Sequence, residues 1–189
     1  MFPEGTYSDI DRAMDEAPAA FVMDETTFRA FYDRNARGLW TYLARVTGDR
    51  SLADDLLQET FYRFLRAGAD YESETHCRNS LYRIATNLAR DARRRSLVRG
   101  PFSVAGHDIE RVPSGHDAGA AERKTDLTRA MARLKPRERA MLWLAYAEGA
   151  SHTEIADVLG LRPASLKSLL FRARRKLAGL MGRAMDGSE

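Results

Sequence analysis

The apolar residues of this 189-residue chain recur almost everywhere at steps of three and four. That spacing lines one side of an α-helix, whereas a half-buried strand alternates at steps of two, and no stretch alternates convincingly. The expected fold is therefore all-α. Phe28, Phe31, Tyr32, Leu39, Trp40, Leu43 and Val46 make the first stripe, closed by Gly48. Ser51 and Asp54 resemble a capping box, since the serine oxygen and the acid can satisfy free amides of a first turn. They would open a helix carrying Leu52, Leu56, Thr60, Phe61, Phe64 and Leu65 that stops near Gly68. After a polar stretch, Ala69 to Arg78, a third helix bears Leu81, Ile84, Ala85, Leu88 and Ala92. Three such stripes can bury one another as a small bundle.

The pattern breaks after Arg95. Between Ser96 and Ala121 stand Gly100, Pro101, Gly106, Pro113, Ser114, Gly115 and Gly119 with few large apolar residues, the composition of a flexible linker. Helix is expected again from about Thr125, through Leu127, Ala130, Met131 and Leu134. Pro136 suits the first turn of the next helix, where its missing amide costs little. The expected organisation is an acidic extension (residues 1–24), a helical domain (25–95), a linker (96–123) and a second helical domain (124–183). The fold is thus two small helical domains joined by a flexible linker.

A net charge of +3 conceals an uneven distribution. From Met1 to Glu25 there are seven acids against only Arg12. Arg83, Arg90, Arg93, Arg94, Arg95 and Arg99 face only Asp91, and Arg162 to Arg183 holds seven cations and no acid. Two basic stretches on helical patterns point to a polyanion partner, or else to two solvated helix faces, and charge alone does not choose between them. No run of about eighteen apolar residues exists to span a bilayer. The acidic N-terminus lacks the features of a secretory signal. A single cysteine, Cys77, makes no internal disulfide, and no Cys/His cluster has zinc spacing. A cytoplasmic location without membrane insertion is expected.

The segment from Ser151 to Leu177 is the most specific. Ser151 and Glu154 form a second capping box before Ile155, Ala156, Val158 and Leu159. Gly160 supplies the left-handed residue of a tight turn, Leu161 fits beneath it, and Pro163 opens another helix with Leu166, Leu169, Leu170, Ala173 and Leu177 as candidate buried positions. Ala156 lies four residues before Gly160 and Leu166 six after it. A small residue at the crossing, a turn glycine and an aliphatic plug are the skeleton of a helix-turn-helix. Arg162, Ser165, Lys167, Ser168, Phe171, Arg172 and Arg175 are then candidates to face a major groove, where cations and hydroxyls reach guanine edges or phosphates. The bland alternative, a helical hairpin with a basic outer face, explains the charge but not the joint occurrence of cap, glycine, plug and basic exit.

At this point a family resemblance enters. The stretch SHTEIADVLGLRPASLKSLLFRARRKLAGL resembles the C-terminal promoter-binding domain of bacterial sigma factors of the extracytoplasmic-function (ECF) group, and LTRAMARLKPRERAMLWLAYAEGAS resembles the helices that support it. Independently, ADDLLQETFYRFLRA and SLYRIATNLARDARRR resemble the N-terminal domain of the same group. The resemblance runs from about Phe28 to Leu180 apart from the linker. It implies that Asp54, Asp55, Leu56, Gln58, Glu59 and Phe61 dock on core RNA polymerase, although the pattern alone is equally that of a plain amphipathic helix with Leu56 and Phe61 facing inward. It implies that Asn79, Asn87, Arg90, Arg93, Arg94 and Arg95 engage the minus-ten promoter element, where an unstacked base needs a pocket and the strand needs cations. Asn87 is equally open to a purely structural hydrogen bond. The basic face from Arg162 to Arg175 would read the minus-thirty-five element. Core RNA polymerase, promoter DNA and an anti-sigma factor are the partners implied.

The chain departs from the family pattern in two places. Cys77 and Ser80 stand where an aromatic pair is usual, and Leu169 where a basic residue is common. Cys77 is either redox-sensitive or silent, and nothing in its neighbourhood would lower its pKa. The extension 1–24 is either an electrostatic shield over a basic face or an inert tail. Two other functions compete. A stand-alone repressor shares the helix-turn-helix but has no use for DDLLQETF. A module that sequesters a regulator needs no basic recognition helix. An enzyme fits least, because His76, His107, His116 and His152 are scattered and no phosphate loop, acid pair or nucleophile elbow appears. No cofactor, metal or small-molecule substrate is expected.

Overall fold

The computed structural model describes residues 24–69, 71–99 and 126–185, and the described residues are almost entirely helical. Three helices come first: α1 (Glu25–Thr47), α2 (Arg50–Ala67) and α3 (Glu74–Arg99). After them come α4 (residues 126–132), α5 (Pro136–Tyr146), α6 (His152–Leu159) and α7 (Pro163–Met185). No helix among the described residues is long and apolar enough to cross a membrane.

The local sequence explains the helix ends. Asp24 caps α1 by accepting from the Thr27 amide at 2.7 Å, and Gly48 closes it with a left-handed φ of 79°. The start of α2 differs from expectation. Its cap is Asp49, whose carboxylate accepts from the Leu52 amide at 3.0 Å, and Ser51 is already inside the helix. Gly48 turns the chain so that Asp49 has the extended backbone a cap needs, two residues earlier than the serine could act. Asp54 is thereby freed from capping and accepts instead from the Trp40 indole N–H at 2.6 Å. Helix α3 also starts earlier than expected. Ser73 accepts from the His76 amide with its hydroxyl and from the Cys77 amide with its carbonyl, so residues 74–78 are helical despite their polarity. It also ends later, at Arg99 rather than Arg95, because no glycine or proline intervenes before Gly100.

The first three helices bury a shared stripe: Leu39, Tyr42 and Leu43 from α1, Ala53, Leu56, Phe61 and Phe64 from α2, and Leu81, Ala85 and Leu88 from α3. Phe31 stacks on Phe64 at 5.4 Å between ring centroids, and Phe64 on Tyr71 at 5.1 Å, which ties the α2–α3 connection to the core. Buried Tyr42 donates to the Thr86 hydroxyl at 2.7 Å, and Thr86 donates to the Tyr82 carbonyl. Every polar atom of that bridge is therefore satisfied, as burial demands. Cys77 is fully buried, and desolvation pushes its thiol up to about 11, which disfavours the reactive thiolate at neutral pH.

The C-terminal helices form a second cluster around Ala140, Met141, Leu144, Ile155, Val158, Leu159, Leu166 and Leu170. Pro136 occupies the first turn of α5, and Ser151 and Glu154 form the expected reciprocal capping box at α6. Gly160 takes φ 62°, and the Leu161 amide bonds back to the Ala156 carbonyl at 2.7 Å, closing the turn. Ala156 and Leu166 are almost completely buried at the helix crossing, whereas Leu169 and Leu177 are only half-buried. The two clusters are not separate. Helix α3 packs along α6 and α1 along α5, so one continuous apolar core runs through both. The acidic extension before Asp24 and the linker beyond Arg99 lie outside the described residues.

Candidate nucleic-acid and polymerase interface

Three surfaces carry the expected site residues. The first is the outer face of α7. Arg162, Ser165, Lys167, Ser168, Phe171, Arg172 and Arg175 are all exposed, and Phe171 has 56% of its surface in solvent. Helical geometry forces this, since the plug Leu166 and its companions Leu170 and Ala173 claim the opposite side. The cations are not neutralised by acids of their own helix, which has none from Arg162 to Arg183. The Ser168 hydroxyl donates to the Ser165 carbonyl at 2.9 Å, and Arg172 folds back toward the Ser168 carbonyl at 3.4 Å. Both bonds stay within the helix and its first turn. Lys176, by contrast, pairs with Glu138 of α5 at 2.7 Å and anchors the helix. Burial raises the Glu138 carboxyl, but the Lys176 ammonium and the Lys135 amide outweigh it, and its pKa is lowered overall.

The second surface is the polar face of α2. Asp54, Asp55 and Gln58 are exposed, and Glu59 holds Arg63 one turn on at 2.6 Å. Tyr62 and Leu65, neither anticipated as site residues, extend this face with 58% and 50% of their surfaces exposed. Leu56 and Phe61 do not belong to it. Both are 5% exposed, and Phe61 packs against Phe28 and Tyr32, so they seat the helix rather than meet a partner. Trp40, with Arg50 over its ring at 5.3 Å, holds the Asp54 carboxylate in place from beside.

The third surface is α3. Asn87, Arg93, Arg94 and Arg95 are exposed, Asn87 accepting only from Arg90 at 3.2 Å and Arg94 approaching Asp91 at 3.5 Å. Asn87 therefore makes no structural bond to the core. Asn79 and Arg90 are placed differently, because both reach across to α6. The Asn79 amide donates to Glu154 at 3.1 Å, and Arg90 donates to the Leu159 carbonyl at 3.3 Å. Between them Arg83 meets the Asp157 carboxylate at 3.5 Å, and the Tyr82 hydroxyl bonds to Glu148. The Glu154 carboxyl is lowered by the Ser151 and Asn79 hydrogen bonds, and the Tyr82 phenol is raised by burial and the Glu148 charge. Sequence reasoning missed Glu148, Asp157, Tyr82 and Arg83 as members of one site. Their pairings join residues about seventy positions apart, which no local spacing reveals.

Among the described residues no group of His, Cys, Asp and Glu could hold a metal ion. An exposed cationic helix in a helix-turn-helix, a cationic α3 and an acidic-apolar α2 together constitute binding surfaces. Comparison with known proteins identifies the family. The model of Sigma-70 region 2 matches residues 31–97 and that of Sigma-70 region 4 matches residues 124–177. The ECF RNA polymerase sigma factor SigL of Mycobacterium tuberculosis is 30% identical over 168 residues, covering 87% of this chain and 94% of that protein. Two solved structures share the fold. CnrH in complex with the cytosolic domain of CnrY has a TM-score of 0.61 at 23% identity, covering 88% of this chain and 92% of that one. RpoE of Bartonella quintana in complex with the anti-sigma factor NepR has a TM-score of 0.59 at 20% identity, covering 82% and 96%. With both sigma regions present in order and a relative matched over nearly its whole length, this chain belongs to the ECF RNA polymerase sigma factors, the initiation factors that bring core RNA polymerase to promoter DNA.

Proposed function

We propose a division of labour among the three surfaces. The exposed face of α7, from Arg162 to Arg175, reads the minus-thirty-five element as duplex. Asn79, Asn87, Arg90, Arg93, Arg94 and Arg95 on α3 hold the minus-ten element as it opens. Asp54, Asp55, Gln58 and Glu59, extended by Tyr62 and Leu65, dock on core polymerase, with Leu56 and Phe61 shaping that face from within. The observation that carries this reading is the α7 face: an acid-free, fully exposed run of cations on the second helix of a helix-turn-helix. The N-terminal helices and the C-terminal helices act as separate functional domains joined by the stretch beyond Arg99.

An anti-sigma factor regulates the protein in this reading. The support is that, among solved structures of similar fold, RpoE is held with the anti-sigma factor NepR and CnrH with the cytosolic domain of CnrY. The protein itself has no catalytic role; its contribution is binding and positioning.

Run-off transcription with purified core RNA polymerase on a pool of promoter fragments tests the proposal. Discrete transcripts are expected only when the protein is added. Asp55→Ala with Glu59→Ala should abolish association with core polymerase. Lys167→Ala with Arg172→Ala should leave association intact and abolish promoter choice. Normal transcription by the second pair would overturn the assignment of α7.

A further inference from the structure

The side chains on the polar face of α2 are held in different ways. Asp54 stands in the second turn of the helix, and its carboxylate accepts from the Trp40 indole N–H of α1 at 2.6 Å. Glu59 is held at 2.6 Å by Arg63 of its own helix. Asp55 and Gln58 are exposed, and among the described residues no hydrogen bond or ion pair fixes either. Within this face, therefore, Asp54 is the group oriented from another helix.

The surroundings of Trp40 make that orientation firm. The ring is half-buried and packs against the core, so the carboxylate must follow the indole rather than the reverse. Arg50 lies over the ring with its guanidinium carbon 5.3 Å from the centroid, an arrangement that attracts a cation to the aromatic face. Asp49 takes the capping duty at the start of α2, which leaves Asp54 available to the indole. A hydrogen bond to an ionised acceptor is stronger than one between neutral groups. The indole offers a single N–H, whereas a carboxylate has two acceptor oxygens, so exposed Asp54 keeps capacity for a second donor.

We infer that Trp40 is a positioning residue for docking on core polymerase: it presets the Asp54 carboxylate that the partner engages, and so raises affinity through Asp54. The inference rests on the proposed role of the α2 face. A carboxylate that rotates freely must be ordered when a cation or N–H group of the partner binds it, and that ordering weakens association. Trp40 imposes the order at folding, before the partner arrives. Asp55 and Gln58 are still to be ordered on docking. A bland role for the same bond also exists, since a half-buried indole N–H needs an acceptor of some kind. The two roles differ in whether the effect of Trp40 on docking passes through Asp54.

The test is a double-mutant cycle in the full chain, with affinity for purified core polymerase measured at fixed salt and stability measured by urea unfolding. Trp40→Phe keeps an aromatic ring and removes the N–H. It should weaken binding by about two- to tenfold, the effect of leaving one side chain unordered. Asp54→Ala should weaken binding at least as much. With Asp54→Ala already present, Trp40→Phe should have no further effect on affinity, because the indole then has nothing to orient. Where Trp40→Phe costs stability, benzothienylalanine at position 40 replaces it in the cycle, since it keeps the shape of the indole and lacks only the N–H. Equal weakening with and without Asp54 would assign Trp40 to packing and overturn the positioning role. Wild-type affinity in the Trp40 variant would overturn it as well. Wild-type affinity for Asp54→Ala, while Asp55→Ala with Glu59→Ala fails to bind, overturns this inference alone. Wild-type affinity in all of these variants overturns the reading of α2, and the inference with it.

Discussion

The two helices proposed to meet DNA are built in opposite ways. Helix α7 is seated by its own neighbourhood: the Ser151–Glu154 capping box, the left-handed Gly160 and the buried Leu166 all lie within sixteen residues of one another. Its outer face is exposed, and no other described helix packs against it. Helix α3 is seated by distant partners, Tyr42 of α1 through Thr86 and the acids of α6 through Asn79 and Arg83. A face organised locally is ready for its ligand at once. A face organised by long-range contacts shares its side chains with neighbouring helices, as Asn79 and Arg90 do with α6.

The sharpest way to break this contrast is to disable one helix and leave the other. Leu166→Ala empties the plug under the helix crossing and should destabilise the C-terminal helices by about 2–5 kcal/mol. Thermal unfolding should show the loss, and duplex binding should fail with it. The next effect separates binding from stability. Arg172→Ala is expected to weaken duplex binding by about 1–3 kcal/mol, and Lys167→Ala to reduce the salt slope of binding by about one. Neither should move the melting temperature, because both side chains are exposed and make no bond to the core. A large stability loss would mean that α7 is held by more than its apolar side.

On the other helix, Tyr42→Phe removes one buried hydrogen bond between α1 and α3. Thr86 keeps its donation to the Tyr82 carbonyl, so no donor is orphaned, and a loss of about 1 kcal/mol in urea unfolding is expected. Duplex binding by α7 should be untouched. The smallest effect is a pH dependence. Glu154 has its pKa lowered from the ordinary value near 4.5 by Ser151 and Asn79, so the folded state favours its charged form. Its contribution is fully present above that ordinary value and is lost as pH falls through the lower folded one. Stability in urea unfolding should accordingly hold steady from neutral pH to about pH 5 and decline under more acidic conditions, as Glu154 protonates.

The sequence was most legible where structure is decided locally. The helix-turn-helix was readable because cap, glycine and plug occur at fixed offsets within one stretch, and each has a single physical purpose there. The inward direction of Leu56 and Phe61 was readable from periodicity, although both then proved too buried to join the docking face. Helix ends were less legible. Ser51 looked like a cap because its neighbour three residues on is acidic, but Asp49, set by the left-handed Gly48, reaches the first turn before it. The contacts between α3 and α6 could not be read at all. Asn79 and Glu154, or Arg83 and Asp157, are ordinary surface residues until the fold brings helices more than seventy positions apart into register. Charge counting registered the basic run on α3 without its acidic counterpart on α6.

The most direct test places a photo-crosslinking residue at Phe171 in one preparation and at Asn87 in another, each assembled with core polymerase on a single promoter. The account predicts that position 171 crosslinks to the minus-thirty-five duplex and position 87 to the minus-ten strand, with no exchange between them. Crosslinks from both positions to one element, or from position 87 to protein alone after the promoter has opened, would contradict it.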